Sequence, residues 1–88
     1  MYNLYRRIGV NAPVLLHTTD SQKDIKSYLV SYLKKDGFTE TQVMALIEFG
    51  VPVKWRNGQF MELRREESAT VLETEDGQLS YTILEWEE

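Results

Sequence analysis

The sequence predicts an α+β domain, in the order ββααββββ, with two adjacent helices packed on one face of a mainly antiparallel sheet. Three observations carry that expectation. Between residues 19 and 50, apolar side chains recur at helical spacing and two sets of capping residues punctuate the run. On either side of that stretch the apolar residues alternate, the period of a strand. Short turns such as Arg56-Asn57-Gly58 and Asp76-Gly77 join the alternating runs, and connections that brief impose antiparallel neighbours.

Tyr2 to Ile8 reads as the first strand, with Tyr2, Leu4 and Ile8 on one face, interrupted by Arg6, and Asn3, Tyr5 and Arg7 on the other. Pro13 lacks a ladder donor and closes the break after it. Val14 to Thr18 follows as a second short strand, antiparallel to the first. The first helix is expected over 21–36. Thr19-Asp20-Ser21-Gln22 has capping-box spacing, and Ile25, Tyr28, Leu29, Tyr32 and Leu33 form one stripe. Lys34 and Lys35 suit its negative end. The second helix is expected over 39–49, opened by a second capping box, Thr39 to Gln42, and stopped before Pro52.

Two hairpins complete the chain. A three-residue turn ending at Gly58 sets Val53 opposite Met61 and Val51 opposite Leu63, keeping apolar residues together. A turn at Asp76-Gly77 joins strands 69–74 and 79–86, pairing Leu72 with Tyr81, Thr70 with Ile83, Val71 with Thr82 and Ala69 with Leu84. The expected core is Ile25, Leu29, Leu33, Val43, Ile47, Val53, Met61, Leu63, Leu72, Tyr81 and Ile83.

Length and composition narrow the function classes. The 88 residues suit a single domain, 1–88. A chain this short gains from hiding further apolar surface in a dimer or complex. The absence of cysteine excludes disulfides and thiolate zinc sites. The basic pair Arg6-Arg7 is followed by no apolar run, so neither a secretory signal nor a membrane span is expected, and the expectation is a soluble, cytoplasmic protein.

Charge is split along the chain. Residues 1–65 hold all ten Lys and Arg against six acids, whereas residues 66–88 hold eight acids and no base. The plain structural account is that acidic and basic strands pair within one sheet. Arg6-Arg7 and Arg64-Arg65 read as solvated edge strands defended by charge.

No motif for chemistry emerges. The one histidine, His17, could act with Asp20 as a general base, but a local hydrogen bond near a helix start is the commoner role. Nothing matches a P-loop, an EF-hand or H-E-x-x-H, so no catalytic residue, metal ligand or cofactor is expected. The expected function is a non-catalytic protein-binding module of the small regulators and inhibitors that bacteria and phages encode. It would engage a basic partner, including one whose groove normally holds nucleic acid, through its acidic C-terminal hairpin. The residues expected to bind are Glu73, Glu75, Asp76, Glu85, Trp86 and Glu87, with Trp86 as anchor. Both faces of that hairpin carry apolar residues, so a homodimer or a heteromeric partner is expected unless the N-terminal strands cover the second face.

The alternative is a winged-helix-like DNA-binding regulator. It would read bases with Gln42 on the second helix and touch phosphate with the hairpin tip 54–59, through Lys54, Trp55 and Arg56. A pI near 5.0 opposes it, since phosphate contacts dominate such affinity. A third reading is a small enzyme or ligand carrier with a pocket between sheet and helices.

Overall fold

The computed structural model describes residues 1–85. The strands are β1 (Tyr2–Ile8), β2 (Val14–Thr19), β3 (Val53–Lys54), β4 (Phe60–Glu66), β5 (Ala69–Thr74) and β6 (Leu79–Glu85); the helices are α1 (Gln22–Lys35) and α2 (Glu40–Phe49). One sheet holds all six strands in the order β2-β1-β6-β5-β4-β3, with every pair antiparallel. Chain order and sheet order differ at one point. β1 leaves the N-terminus and pairs along its whole length with the last strand, β6.

Local chemistry sets the helix ends. Ser21 is the N-cap of α1, its hydroxyl accepting from the Asp24 N–H. The Thr19–Gln22 box does not form, because the Thr19 hydroxyl accepts from the Ser21 N–H instead. At the other end the Phe38 N–H donates to the Leu33 carbonyl and the Gly37 N–H to the Lys34 carbonyl. This is a Schellman closure with Gly37 left-handed, and it brings buried Phe38 onto buried Leu33. Thr39 and Gln42 form the expected reciprocal box at the start of α2.

Both hairpin registers are as the alternation requires. Val53 faces Met61, and Leu72 faces Tyr81. The expected partnership of Val51 with Leu63 is absent, since the Val51 N–H is taken by the Ala45 carbonyl at the helix end and β3 begins at Val53. Next to the β5–β6 turn, the Thr74 hydroxyl replaces ladder bonds by accepting from the Leu79 N–H.

The helices lie on the face that carries Leu4, Met61, Leu72, Leu79 and Tyr81, and these side chains close the core with Ile25, Leu29, Leu33, Phe38, Val43 and Leu46. Eight of the eleven expected core residues are buried. Ile47, Leu63 and Ile83 are only half-buried, because the helices and the sheet diverge beside them. Arg6-Arg7 does not defend an edge: β1 is an interior strand.

Leu29→Ala should lower unfolding free energy by about 2–5 kcal/mol, the range for a fully buried leucine. Ile47→Ala, at a site already partly open, should cost distinctly less. Urea denaturation of the two variants checks this, and equal losses would contradict the placement of the core.

Candidate functional site

Three regions of the molecule could do more than hold it together: a polar cluster under the helix corner, a cleft between helices and sheet, and the sheet face that carries no helix.

The cluster centres on Asp36, the C-cap residue of α1. Arg6 reaches it from β1, donating from Nε to Oδ2 at 3.1 Å and from Nη2 to Oδ1 at 2.6 Å. The Tyr81 hydroxyl, from β6, donates to the same carboxylate, and Arg6 Nε also lies 3.1 Å from that hydroxyl oxygen. The Trp55 indole donates to the Asp36 carbonyl at 2.7 Å while its ring stacks on Phe38. The Tyr81 phenol is pushed well above its ordinary value, chiefly by burial and next by its hydrogen bond to Asp36. The Arg6 guanidinium is likewise held charged, chiefly through its hydrogen bond to Asp36. A phenol that clings to its proton is the opposite of a general base, so the cluster reads as a structural clamp.

The cleft, of about 420 Å³, opens where α1 and α2 part from β4, β5 and β6. Half-buried Ile47, Leu63 and Ile83 line its inner wall. Lys26 paired with Glu48, together with Arg65, Glu66, Glu67 and Glu85, rims it.

The helix-free face follows from the ladder. Asn3, Tyr5 and Arg7 of β1 stand beside Leu84, Thr82 and Ser80 of β6. The row continues through Ala69, Val71 and Glu73 of β5 to Glu66, Arg64 and Glu62 of β4, and Leu15 flanks Tyr5 on the far side. Its apolar residues are exposed Leu15 and Leu84, half-buried Tyr5 and Val71, which is buried among its neighbours. Within the face, Glu73 pairs with Arg7 at 2.7 Å and lies 3.9 Å from Arg64, which itself pairs with Glu66.

The expected acidic surface is therefore divided. Glu73 is neutralised on the helix-free face. Glu75 accepts from the Phe60 N–H of β4 and so ties the turn to that strand, while Asp76 accepts from the Thr74 hydroxyl and the Gln78 N–H and organises the turn itself. Glu85 lies at the opposite end of the hairpin, where its N–H donates to the Ser68 carbonyl and its neighbours are Glu66 and Glu67. Trp86 and Glu87 fall outside the described residues.

Of the expected base-reading set, Gln42 and Trp55 are committed elsewhere, while Lys54 and Arg56 are exposed. Gln42 spends its amide on the Thr39 N–H and the Lys54 carbonyl, and Trp55 spends its ring on Phe38. Lys54 reaches over Phe60, and the Arg56 guanidinium lies over Trp55. His17 packs its ring against Tyr28, with centroids 3.6 Å apart, while Asp20 lies 3.9 Å from the N-terminal ammonium. Among the described residues no cluster of His, Asp and Glu is placed to hold a metal, and no helix is long and apolar enough to cross a membrane.

Sequence reasoning did not single out Tyr5 and Leu15. The signal was present in the alternation of β1, but its use required knowing that β1 sits beside β6. Compared with protein-family models, curated proteins and solved structures, the chain matches none.

Because the folded state holds Tyr81 protonated, its contribution to stability is complete below about pH 10, the ordinary phenol value, and is lost as pH rises above it. Between pH 9 and 11.5, wild type should lose stability more steeply than Tyr81→Phe, by up to about 1.4 kcal/mol per pH unit. Parallel urea titrations measure the difference, and identical slopes would refute it. At pH 7, Asp36→Ala should cost about 2–3 kcal/mol, less than for a fully buried pair because Arg6 is partly solvated.

Proposed function

We propose that this chain is a non-catalytic protein-binding module, a small regulator or inhibitor, that docks a partner protein on its helix-free sheet face. The observation behind this reading is that the N-terminal strands extend the sheet beside β6 instead of folding across it. Leu15, Leu84 and half-buried Tyr5 thus have no covering element among the described residues. Sheet faces of small proteins that combine apolar centres with charged margins suit protein partners. The margin at Glu67, with Glu66 beside it in a solvent-exposed pair with Arg64, would steer a basic partner, while Glu73, half-buried and paired with Arg7, would add little.

The test is a pull-down from a lysate of the source organism with three forms of the protein. Wild type should retain a specific partner, Leu84→Lys should weaken it by about 2 kcal/mol or more, and Glu66→Lys/Glu67→Lys should slow association most at low salt. No specific partner, or equal retention by all three forms, would count against the reading.

The cleft favours a second reading, a carrier for a small ligand, because its volume of about 420 Å³ and its wall of Ile47, Leu63 and Ile83 fit one. The DNA reading has its own measurement. At about 150 mM salt, duplex binding should be no tighter than the non-specific range of about 10⁻⁴–10⁻⁶ M. Nanomolar binding lost in Arg56→Ala would establish DNA recognition instead.

A further inference from the structure

We infer that the outer edge of β2 pairs with the same edge of a second copy of this chain, antiparallel across a two-fold axis, to give one continuous sheet. The inference concerns the edge of the sheet and not its bare face, with Leu15 common to the two, and it does not depend on the partner-binding reading.

The two edges of the sheet are treated differently by the sequence. β3 has only two residues, one of them Lys54 and preceded by Pro52, and the stretch of β4 it leaves without a partner on that side, Glu62 to Glu66, holds four charged residues. Short length, proline and lysine are the usual defences of an edge against pairing. β2, at the other edge, is preceded by Pro13 as β3 is by Pro52, and it carries a bulge at Leu16, but it is the longer strand and holds no lysine. It runs six residues, Val-Leu-Leu-His-Thr-Thr, with no proline, aspartate, glutamate, lysine or arginine. Its side chains also stand out to both sides of the sheet. Val14 is 60% exposed on the helix side and Leu15 51% exposed on the other, while Ile8 and Val10 extend the exposed apolar surface around the hairpin.

Charge selects the occupant. The stretch from Ile8 to Thr19 is the longest run without Asp, Glu, Lys or Arg in the chain. Two copies, each of net charge −4, repel over most of their surfaces. An antiparallel pairing of β2 with itself sets no charged side chain opposite its own copy, the condition a self-complementary two-fold contact must meet. A strand from a basic partner would find no carboxylate along this edge to recognise. The bulge that leaves Leu16 without a partner on β1 twists β2 locally but leaves Val14-Leu15 and His17 to Thr19 in register on either side.

Sedimentation velocity of the full chain over a concentration series tests the inference, with Leu15→Lys and Thr18→Lys as edge variants and Leu84→Lys as a control on the helix-free face. The wild type should reach a dimer. Each edge variant should raise the dissociation constant about tenfold or more, because every substitution enters the two-fold contact twice. Leu84→Lys should leave it unchanged. Both edge positions are exposed, and circular dichroism will verify that the variants fold. Amide hydrogen exchange supplies a second readout, with β2 amides gaining protection in proportion to the dimer fraction. A wild type that stays monomeric at millimolar concentration would overturn the inference. So would a dimer that survives both edge variants or is broken by Leu84→Lys.

Discussion

Asp36 is the point at which the two halves of this molecule are fastened. As the C-cap of α1 it ends one element, and its carboxylate receives Arg6 from β1 and Tyr81 from β6 while its carbonyl receives the Trp55 indole beyond β3. Four segments far apart in sequence thus meet around one residue. The arrangement is stable because every group has an opposite number: two guanidinium donors and a phenol satisfy a carboxylate that retains only 14% side-chain exposure. Removing any one member would leave the others facing a low-dielectric interior without compensation. The helix corner cannot slide along the sheet without breaking this set.

That fastening requires β1 to lie where it does, and the placement of β1 also resolves the charge split. The acidic hairpin β5–β6 sits between β1, with Arg6 and Arg7, and β4, with Arg64 and Arg65. Arg7 takes Glu73 directly, and Arg64 stands on the other side of the same carboxylate. A chain that looks in sequence like a basic body with an acidic tail is, once folded, an interleaved sheet. Of the acids left without an arginine, Glu67 and Glu85 lie at one end of the hairpin and Glu75 and Asp76 at the other.

The sequence made legible what is decided within about ten residues. The Thr39–Gln42 box and both hairpin registers depend on neighbours, and each has one low-energy solution in its own segment. Contacts between β1 and the rest were not legible. Nothing near Arg6 indicates that it turns towards Asp36, thirty residues away, so it read as a solvated edge arginine. Depth was legible only in part, since alternation assigns a face and not a distance from the surface. Leu63 and Ile83 point to the same side as Met61 and Tyr81, yet lie at the end of the sheet from which the helices diverge. The carboxylates of the hairpin were assigned to a partner because their charge was visible and their hydrogen-bond partners were not. Glu75 serves the backbone amide of Phe60 on β4, and Asp76 serves that of Gln78 in its own turn.

A six-stranded sheet with both helices on one side has three surfaces through which it can meet other molecules: its bare face and its two edges. One edge is formed by the short β3 and, beyond it, by the charged run Glu62 to Glu66 of β4. The bare face mixes apolar side chains with ion pairs, which suits a partner of different sequence that can supply complementary charge. The β2 edge offers backbone and apolar side chains without charge, which suits an identical partner, since a neutral strand is always compatible with its own copy. If both contacts form, they do not compete, because β2 pairing extends the sheet sideways and leaves its face open. The dimer would then present two bare faces side by side, joined through Leu15 and Tyr5 near the two-fold axis. A partner spanning both copies would gain the effective-concentration advantage of two linked sites, so a modest face could hold its target more tightly than its own area would allow.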